Sequence, residues 1–312
     1  MLYYNLPDIF WPGKHNVVKQ HNIISRAALC MLAILALLTG NPAMAMSERA
    51  PFRVAASILP LHALLASIAD EDQTLPALLP PGASPHGYAL RPSDAQRLRD
   101  ADVIFWIGPK LETPLVRPIA SLSKNTRIIS LADRMQEQGP DFHIWLDPRK
   151  ARAIARIMAT TLAAAHPDAA GRYMDRLARL DQRLIALDHR LEQGFQPVRD
   201  RPFISTHGAY THLEARYGLH SLGTLQTASE KTPSAARLST MRVRVRGVDS
   251  VCLFDDTPYR SRSVTAFAAD TGARVVVLDP LGSQIAPGPD AYFTLMESLG
   301  DTMISCLERS AG

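Results

Sequence analysis

Between Asp168 and Gln193 the chain reads DAAGRYMDRLARLDQRLIALDHRLEQ, with Tyr173, Leu177, Leu180, Leu184, Leu187 and Leu191 separated alternately by four and three positions. That spacing lines one face of a single α-helix of about seven turns, leaving arginines and aspartates on its other faces. A coiled-coil dimer would use the same pattern, but three heptads flanked by folded sequence predict a helix packed within one chain. A stiff connector of this kind divides the 312 residues in two and limits hinge opening.

On both sides of the seam the chain follows a different rhythm. FRVAASIL (52–59) is β-branched and apolar and should open a sheet, and TLPALLP, VIFWIGP and TRIISLA follow it. After residue 200 the runs PFISTH, SVCLFDD and ARVVVLDP repeat the arrangement. Short apolar runs alternating with helix-compatible stretches predict parallel α/β layers. The expected fold class is α/β, with two similar lobes carrying parallel sheets and joined by a long rigid helix. The expected boundaries are an N-terminal lobe at 46–166, the helix at 167–196 and a C-terminal lobe at 197–312.

Residues 1–45 read as a signal peptide. Lys14, Lys19 and Arg26 precede the apolar stretch AALCMLAILALLTG (27–40), and Ala43 and Ala45 offer a small-residue cleavage site. Fourteen mostly apolar residues are short for a membrane span but suit a secretory leader; an uncleaved anchor is the alternative. Cys30 follows Leu29 inside that run, which does not resemble a lipidation site. Once the leader is removed, only Cys252 and Cys306 remain, an even pair in an oxidising compartment. A disulfide between them would close a loop of 54 residues, worth about 4 kcal/mol in the chain-entropy treatment; two separate buried thiols are the other reading. The formal charge of +4 is small and no basic stripe carries interleaved aromatics, so nucleic acid is not an expected partner.

Four residues stand where a ligand would gather. GASPHGYALRPSD (82–94) is a glycine- and proline-bearing loop holding His86, followed by a helix with Ser93 or Asp94 near its cap. His143 lies in DFHIWLDP, His207 in PFISTHGAY just past the expected strand, and Asp279 at the end of ARVVVLDP. Ligands of parallel α/β sheets collect beyond the carboxyl ends of strands. Three imidazoles and one carboxylate would also suit a tetrahedral zinc site. Taken singly, each has a plainer reading: a histidine after a strand bonds its own loop, and an aspartate before proline forms a turn. Spacing alone does not show that the four converge.

Taken together, GASPHGYALRPSD, FHIWLDP, HGAYTHLEARYGL and LDPLG resemble, in order and at compatible distances, the motifs of the periplasmic zinc-binding receptors of bacterial ABC importers, the ZnuA-type family. The resemblance covers essentially the whole mature chain. It implies two α/β lobes with the metal in the interlobe cleft, and carries His86, His143, His207 and Asp279 over as metal ligands. It also implies Zn2+ as the transported ligand, a permease in the inner membrane as partner, a periplasmic location, a monomer and no enzymatic activity. Related manganese receptors generally place a carboxylate where His207 stands. Three neutral nitrogens with one carboxylate suit zinc better than a harder cation. Because ligating imidazoles must be unprotonated, affinity is expected to fall as pH drops through roughly 6. The alternatives are a manganese-binding receptor or adhesin of the same fold, and an exported zinc hydrolase; no HExxH run or Gly-x-Ser-x-Gly elbow speaks for the latter.

The chain departs from the family pattern in three places. LADRMQEQGPDFH is short and holds no histidine before His143, where many zinc receptors carry a long acidic, histidine-rich loop. Pro85 precedes His86 where an acidic residue sometimes stands. Gly208 follows His207 where the family often has aspartate, so a carboxylate behind a ligating ring is expected to be missing unless Asp256 supplies it. Of the other histidines, His62 is expected on a helix surface or at a cap, and His166, His189 and His220 in solvent. RVRVRG (242–247) reads as a charged helix end or strand edge.

Overall fold

The computed structural model describes residues 51–226, 233–248, 250–256 and 262–309; the expected leader and Cys30 lie outside them. Three strands, β1 (Val54–Ala56), β2 (Val103–Trp106) and β3 (Arg127–Ser130), form one parallel sheet in the order β1-β2-β3. Four more, β4 (Phe203–Ser205), β5 (Ser221–Thr224), β6 (Cys252–Asp255) and β7 (Arg274–Val277), form a second parallel sheet in the order β5-β4-β6-β7. Both α/β layers follow from chains of short, β-branched, buried runs with crossovers between them.

The expected strand in TLPALLP does not form. Pro76 and Pro80 remove donors that a ladder needs. The segment nevertheless runs along β1: Thr74 makes a single parallel bridge to Val54, and the N–H groups of Leu75, Leu78 and Leu79 donate to the carbonyls of Val54, Ala56 and Ser57. It thus occupies in the first sheet the position that β5 occupies in the second, and the two layers share one winding order. In each, the chain reverses direction across the sheet beside the first strand, where open α/β sheets carry their ligands.

Between the sheets in sequence lie two long helices. The first spans Pro148–Ala165, begun by Pro148 at its first turn and by the Asp147 carboxylate accepting from Arg149 N at 2.8 Å. The second, Ala170–Phe195, is the seam helix, about 39 Å long for its 26 residues. Every apolar seam residue is buried, together with Phe195 and Asp188. The seam residues join strand residues of both sheets in one continuous core that also takes in the terminal helix Ala291–Arg309. Gly300 allows the close crossing of these helices, since a Cβ there would meet Leu191 Cδ2 at 2.5 Å. A smaller core, including Leu225, Met241, Leu253 and Phe267, lies apart from it.

Asp188 is the one acidic residue buried in the seam. Its carboxylate accepts two bonds from Arg216, each 2.7 Å, one from Arg149 at 3.3 Å and one from the Tyr217 hydroxyl at 3.1 Å. Burial opposes its ionisation, but Arg216 outweighs that and holds the carboxyl below the usual range. The short helix Thr211–Tyr217 is thereby fastened at its end to the seam helix.

Cys252 in β6 and Cys306 in the terminal helix form a disulfide with a Cα–Cα distance of 6.3 Å. Arg242 and Arg244 lie in the last turn of the helix Ala235–Val245, as the charged-helix-end reading expects. Among the described residues no helix is long and apolar enough to cross a membrane. Replacing Cys306 by serine is expected to lower unfolding stability by about 2–5 kcal/mol in the absence of reductant. Chemical denaturation of the oxidised protein and the variant measures the difference, and equal midpoints would remove the bond from the account of stability.

Candidate metal-binding site

Three strand-following segments bring three imidazoles together. His86 sits in the loop after the 74–79 run, His143 in the segment beyond β3, and His207 two residues past β4. Their ring centroids form a near-equilateral triangle with sides of 5.4, 5.2 and 5.2 Å. One nitrogen from each lies within 4.8 Å of the other two. In a tetrahedral zinc site, bonds of about 2.0–2.1 Å separate ligand nitrogens by roughly 3.3 Å, so one ion reaches all three with little adjustment. His143 and His207 are buried and His86 is half-buried.

Each ring is held from behind by identifiable groups. The loop of His86 is tied to the next helix, Pro92–Asp100, by Asp94, whose Oδ2 accepts from Tyr88 Oη and Arg91 N at 2.8 Å each. Asp94 therefore belongs to the first turn of that helix, and Arg91 is the cap. Burial, followed by the proximity of His143, lowers the His86 imidazole to about 4. Its Nε2 is buried with no hydrogen-bond partner among the described residues, as a ligand nitrogen without its ion would be.

His143 is oriented by Asp141, two residues earlier. Asp141 Oδ1 lies 2.7 Å from His143 Nδ1 and accepts from His143 N at 2.8 Å, while Oδ2 accepts from Thr211 N at 3.0 Å. Burial pushes this carboxyl up, but its bonds to His143 outweigh that and hold it below the usual range. A carboxylate behind one ring nitrogen directs the other nitrogen toward a metal and raises its basicity. The carboxylate that Gly208 fails to supply behind His207 thus has a counterpart behind His143. The sequence signal for it is an aspartate two positions before His143 in DFH. Trp145 packs against His143 with centroids 5.1 Å apart and the rings tilted by 56°. Its indole N–H donates to Pro280 O at 2.9 Å, and its carbonyl accepts from Tyr292 Oη at 2.7 Å.

Asp279 lies beyond β7 but outside the cluster of three. Its Oδ1 accepts from Leu281 N and Gly282 N at 3.2 and 2.9 Å, and its Oδ2 from Ser283 N and Oγ at 2.6 and 2.7 Å. Four donors match the four acceptor positions of a carboxylate, so in this geometry Asp279 closes its own turn. Asp256 lies just beyond β6, and burial pushes its carboxyl up to about 7.

The remaining histidines divide differently from expectation. His62 is buried within the helix Leu59–Ala66, not on its surface, because that helix is apolar on all sides. His166 packs on Phe52 and bonds the Tyr173 hydroxyl at 3.0 Å, so it belongs to the structure beneath the seam. His189 and His220 are exposed. His212 lies with Nε2 3.1 Å from the Asp141 carbonyl oxygen, on the Asp141 side of the site.

Comparison with known proteins agrees with this geometry. Residues 54–306 match the family described as "ZnuA: Zinc-uptake complex component A periplasmic". The high-affinity zinc uptake system protein ZnuA of Brucella suis is 30% identical, covering 82% of this chain and 92% of the relative. Its namesake from Yersinia pestis is 31% identical, covering 88% of this chain and 95% of the relative. A crystal structure of a ZnuA deletion mutant with zinc bound aligns at a TM-score of 0.70 and 25% identity, over 82% of this chain and 98% of that one. A chain that matches the family from β1 to the last turn of its terminal helix, and folds the family's motifs into one triangle of imidazoles, belongs to the ZnuA family of periplasmic zinc-uptake components.

Proposed function

We propose that this chain is a periplasmic zinc receptor: it captures Zn2+ through His86, His143 and His207 and delivers it to the inner-membrane permease of an ABC importer. The observation that carries the reading is the convergence of three imidazoles, scattered over more than a hundred positions, on one point. Neutral imidazoles are borderline-soft donors and favour zinc over manganese, which seeks oxygen. Asp279 is the proposed fourth ligand; to take that role it exchanges its longest loop bond, from Leu281 N, for the ion. The protein acts as a monomer that binds and releases its cargo unchanged, not as an enzyme. Relatives named as zinc uptake proteins and the zinc-bound ZnuA of the same fold support this reading.

Protein purified without added metal is expected to contain one equivalent of zinc by elemental analysis, and His143→Ala little or none. Asp279→Ala, with three imidazoles intact, retains more zinc than His143→Ala. Competition between zinc and manganese separates this function from a manganese receptor; preference for manganese would overturn the assignment.

Asp141→Asn keeps the shape of the side chain while removing its charge. Zinc affinity is expected to drop about 10- to 100-fold, the usual effect of losing such a carboxylate. Isothermal titration measures it, and an unchanged affinity would mean that Asp141 serves the fold alone.

The depressed His86 value makes a further prediction about pH. A histidine that the fold holds neutral resists protonation between about 6.5 and 4 while the unfolded chain accepts it. Its contribution to stability is therefore present above pH 6.5 and lost on acidification toward 4. For the same reason the part of the acid loss of zinc affinity that belongs to His86 arrives near pH 4 instead of 6. NMR titration of the metal-free protein should place the His86 midpoint near 4; a midpoint of 6.5 would put the ring in solvent and out of the triangle.

A further inference from the structure

One histidine beyond the second sheet stands outside the triangle and yet touches the segment that carries one of its members. His212 is half-buried in the first turn of the helix Thr211–Tyr217, five residues past His207. Its Nε2 lies 3.1 Å from the carbonyl oxygen of Asp141. A carbonyl oxygen only accepts, so His212 carries a proton on Nε2 and donates it there. The neighbouring Thr211 N donates to Asp141 Oδ2 at 3.0 Å. Two consecutive residues of one helix thus grip both the main chain and the side chain of a single aspartate.

Asp141 is the point at which the His143 segment enters the interior. Residues 138–140 are exposed and residues 141–148 are all buried. Gly139, with a φ of +108°, and Pro140 precede it, so neither a strand nor a helix fixes Asp141 from that side. Among the described residues no main-chain N–H donates to its carbonyl, which leaves His212 to satisfy a polar group of a buried residue. The helix that carries His212 is itself held at its far end, where Arg216 and Tyr217 bond Asp188 of the seam helix. About two helical turns, fastened at both ends, therefore act as a strut between the seam and Asp141. On the other side of Asp141, its Oδ1 accepts from His143 N at 2.8 Å and lies 2.7 Å from His143 Nδ1.

We propose that His212 is a positioning residue of the metal site: by holding the Asp141 carbonyl it keeps the Asp141 carboxylate behind His143 Nδ1, which leaves His143 Nε2 for the ion. The inference rests on the reading of His143 as a ligand. His212 follows His207 in the chain but serves the imidazole that comes from beyond the other sheet. It acts through a main-chain carbonyl, so a list of side chains around the ion would not include it.

The test is a double-mutant cycle on zinc affinity with His212→Ala, Asp141→Ala and the two combined. His212→Ala alone should weaken zinc binding about 10-fold, the lower end of the range for groups behind a ligand. In the Asp141→Ala background the same change should alter affinity less than about 2-fold, because no carboxylate is left to place. His212→Gln, whose amide N–H can donate to the same carbonyl, should restore most of the affinity. Imidazole 15N spectra of the metal-free protein should show His143 as the Nδ1–H tautomer in the wild type and a mixture in His212→Ala, with His86 unchanged.

Equal losses in both backgrounds, or an unaltered His143 tautomer in His212→Ala, would overturn the proposal by reducing His212 to a general structural role. If His212→Ala does not fold, His212→Phe, which keeps a ring without the donor, replaces it in the same cycle with the same criteria. Zinc binding that depends on His143 and Asp141 but not on His212 sinks this inference and leaves the receptor function standing. A wild-type protein without zinc affinity sinks the receptor function, and the His143 tautomer then decides on His212 by itself.

Discussion

The buried face of the helix Ala170–Phe195 is the constraint on which the remaining architecture rests. Neither parallel sheet is large, with three and four strands, and each needs its faces covered by helices. One row of side chains from Tyr173 to Phe195 supplies a shared surface, so residues of both sheets end in one apolar core. Burial of such a row stabilises by about 1.5–3 kcal/mol for each large side chain removed from water, which is why a continuous seam outweighs the many charges on the helix's other faces. Those charges are used locally. Asp188 collects Arg149, Arg216 and the Tyr217 hydroxyl and so fixes the helix that follows the His207 loop.

That helix is held at its other end by the imidazole cluster. Thr211 N donates to the carboxylate that also holds the His143 ring, so one aspartate joins His143, beyond the first sheet, to the helix that follows His207, beyond the second. Trp145 makes a second connection, packing against His143 and donating to the carbonyl of Pro280 beside Asp279. These contacts of the fold bring the three imidazoles together. Side chains held in place by the fold have little conformational freedom left to lose, and burial of His86 within the cluster lowers its imidazole.

Much of this was legible in the order of residues. The seam appears as a period of alternating threes and fours, and six of the seven strands lie in apolar runs recognisable as such. The seventh, Ser221–Thr224, is short, half-buried and contains Gly223, so it lacks the hydrophobic signal of a central strand and forms because β4 offers it an edge. The run 74–79 errs the other way: its composition is apolar enough, but two prolines leave it beside β1 with a single bridge. His62 and His166 show a similar limit. A histidine in a polar-looking context carries no local mark of burial; their surroundings are built by Phe52, Tyr173 and helices from elsewhere in the chain.

By itself the sequence determined the α/β class, the connecting helix, the pairing of Cys252 with Cys306 as a possibility, and, through its motifs, the three imidazoles as candidates. These follow from periodicity, from parity of cysteines and from motifs, all of which are local or countable. Only the tertiary structure decided which groups stand behind those imidazoles. Asp141 stands behind His143, and Asp279 folds its oxygens into its own turn. Such partnerships depend on the direction of a single N–H or carbonyl at the end of a strand. That direction is set by packing between segments far apart in the chain, and no spacing along the chain encodes it.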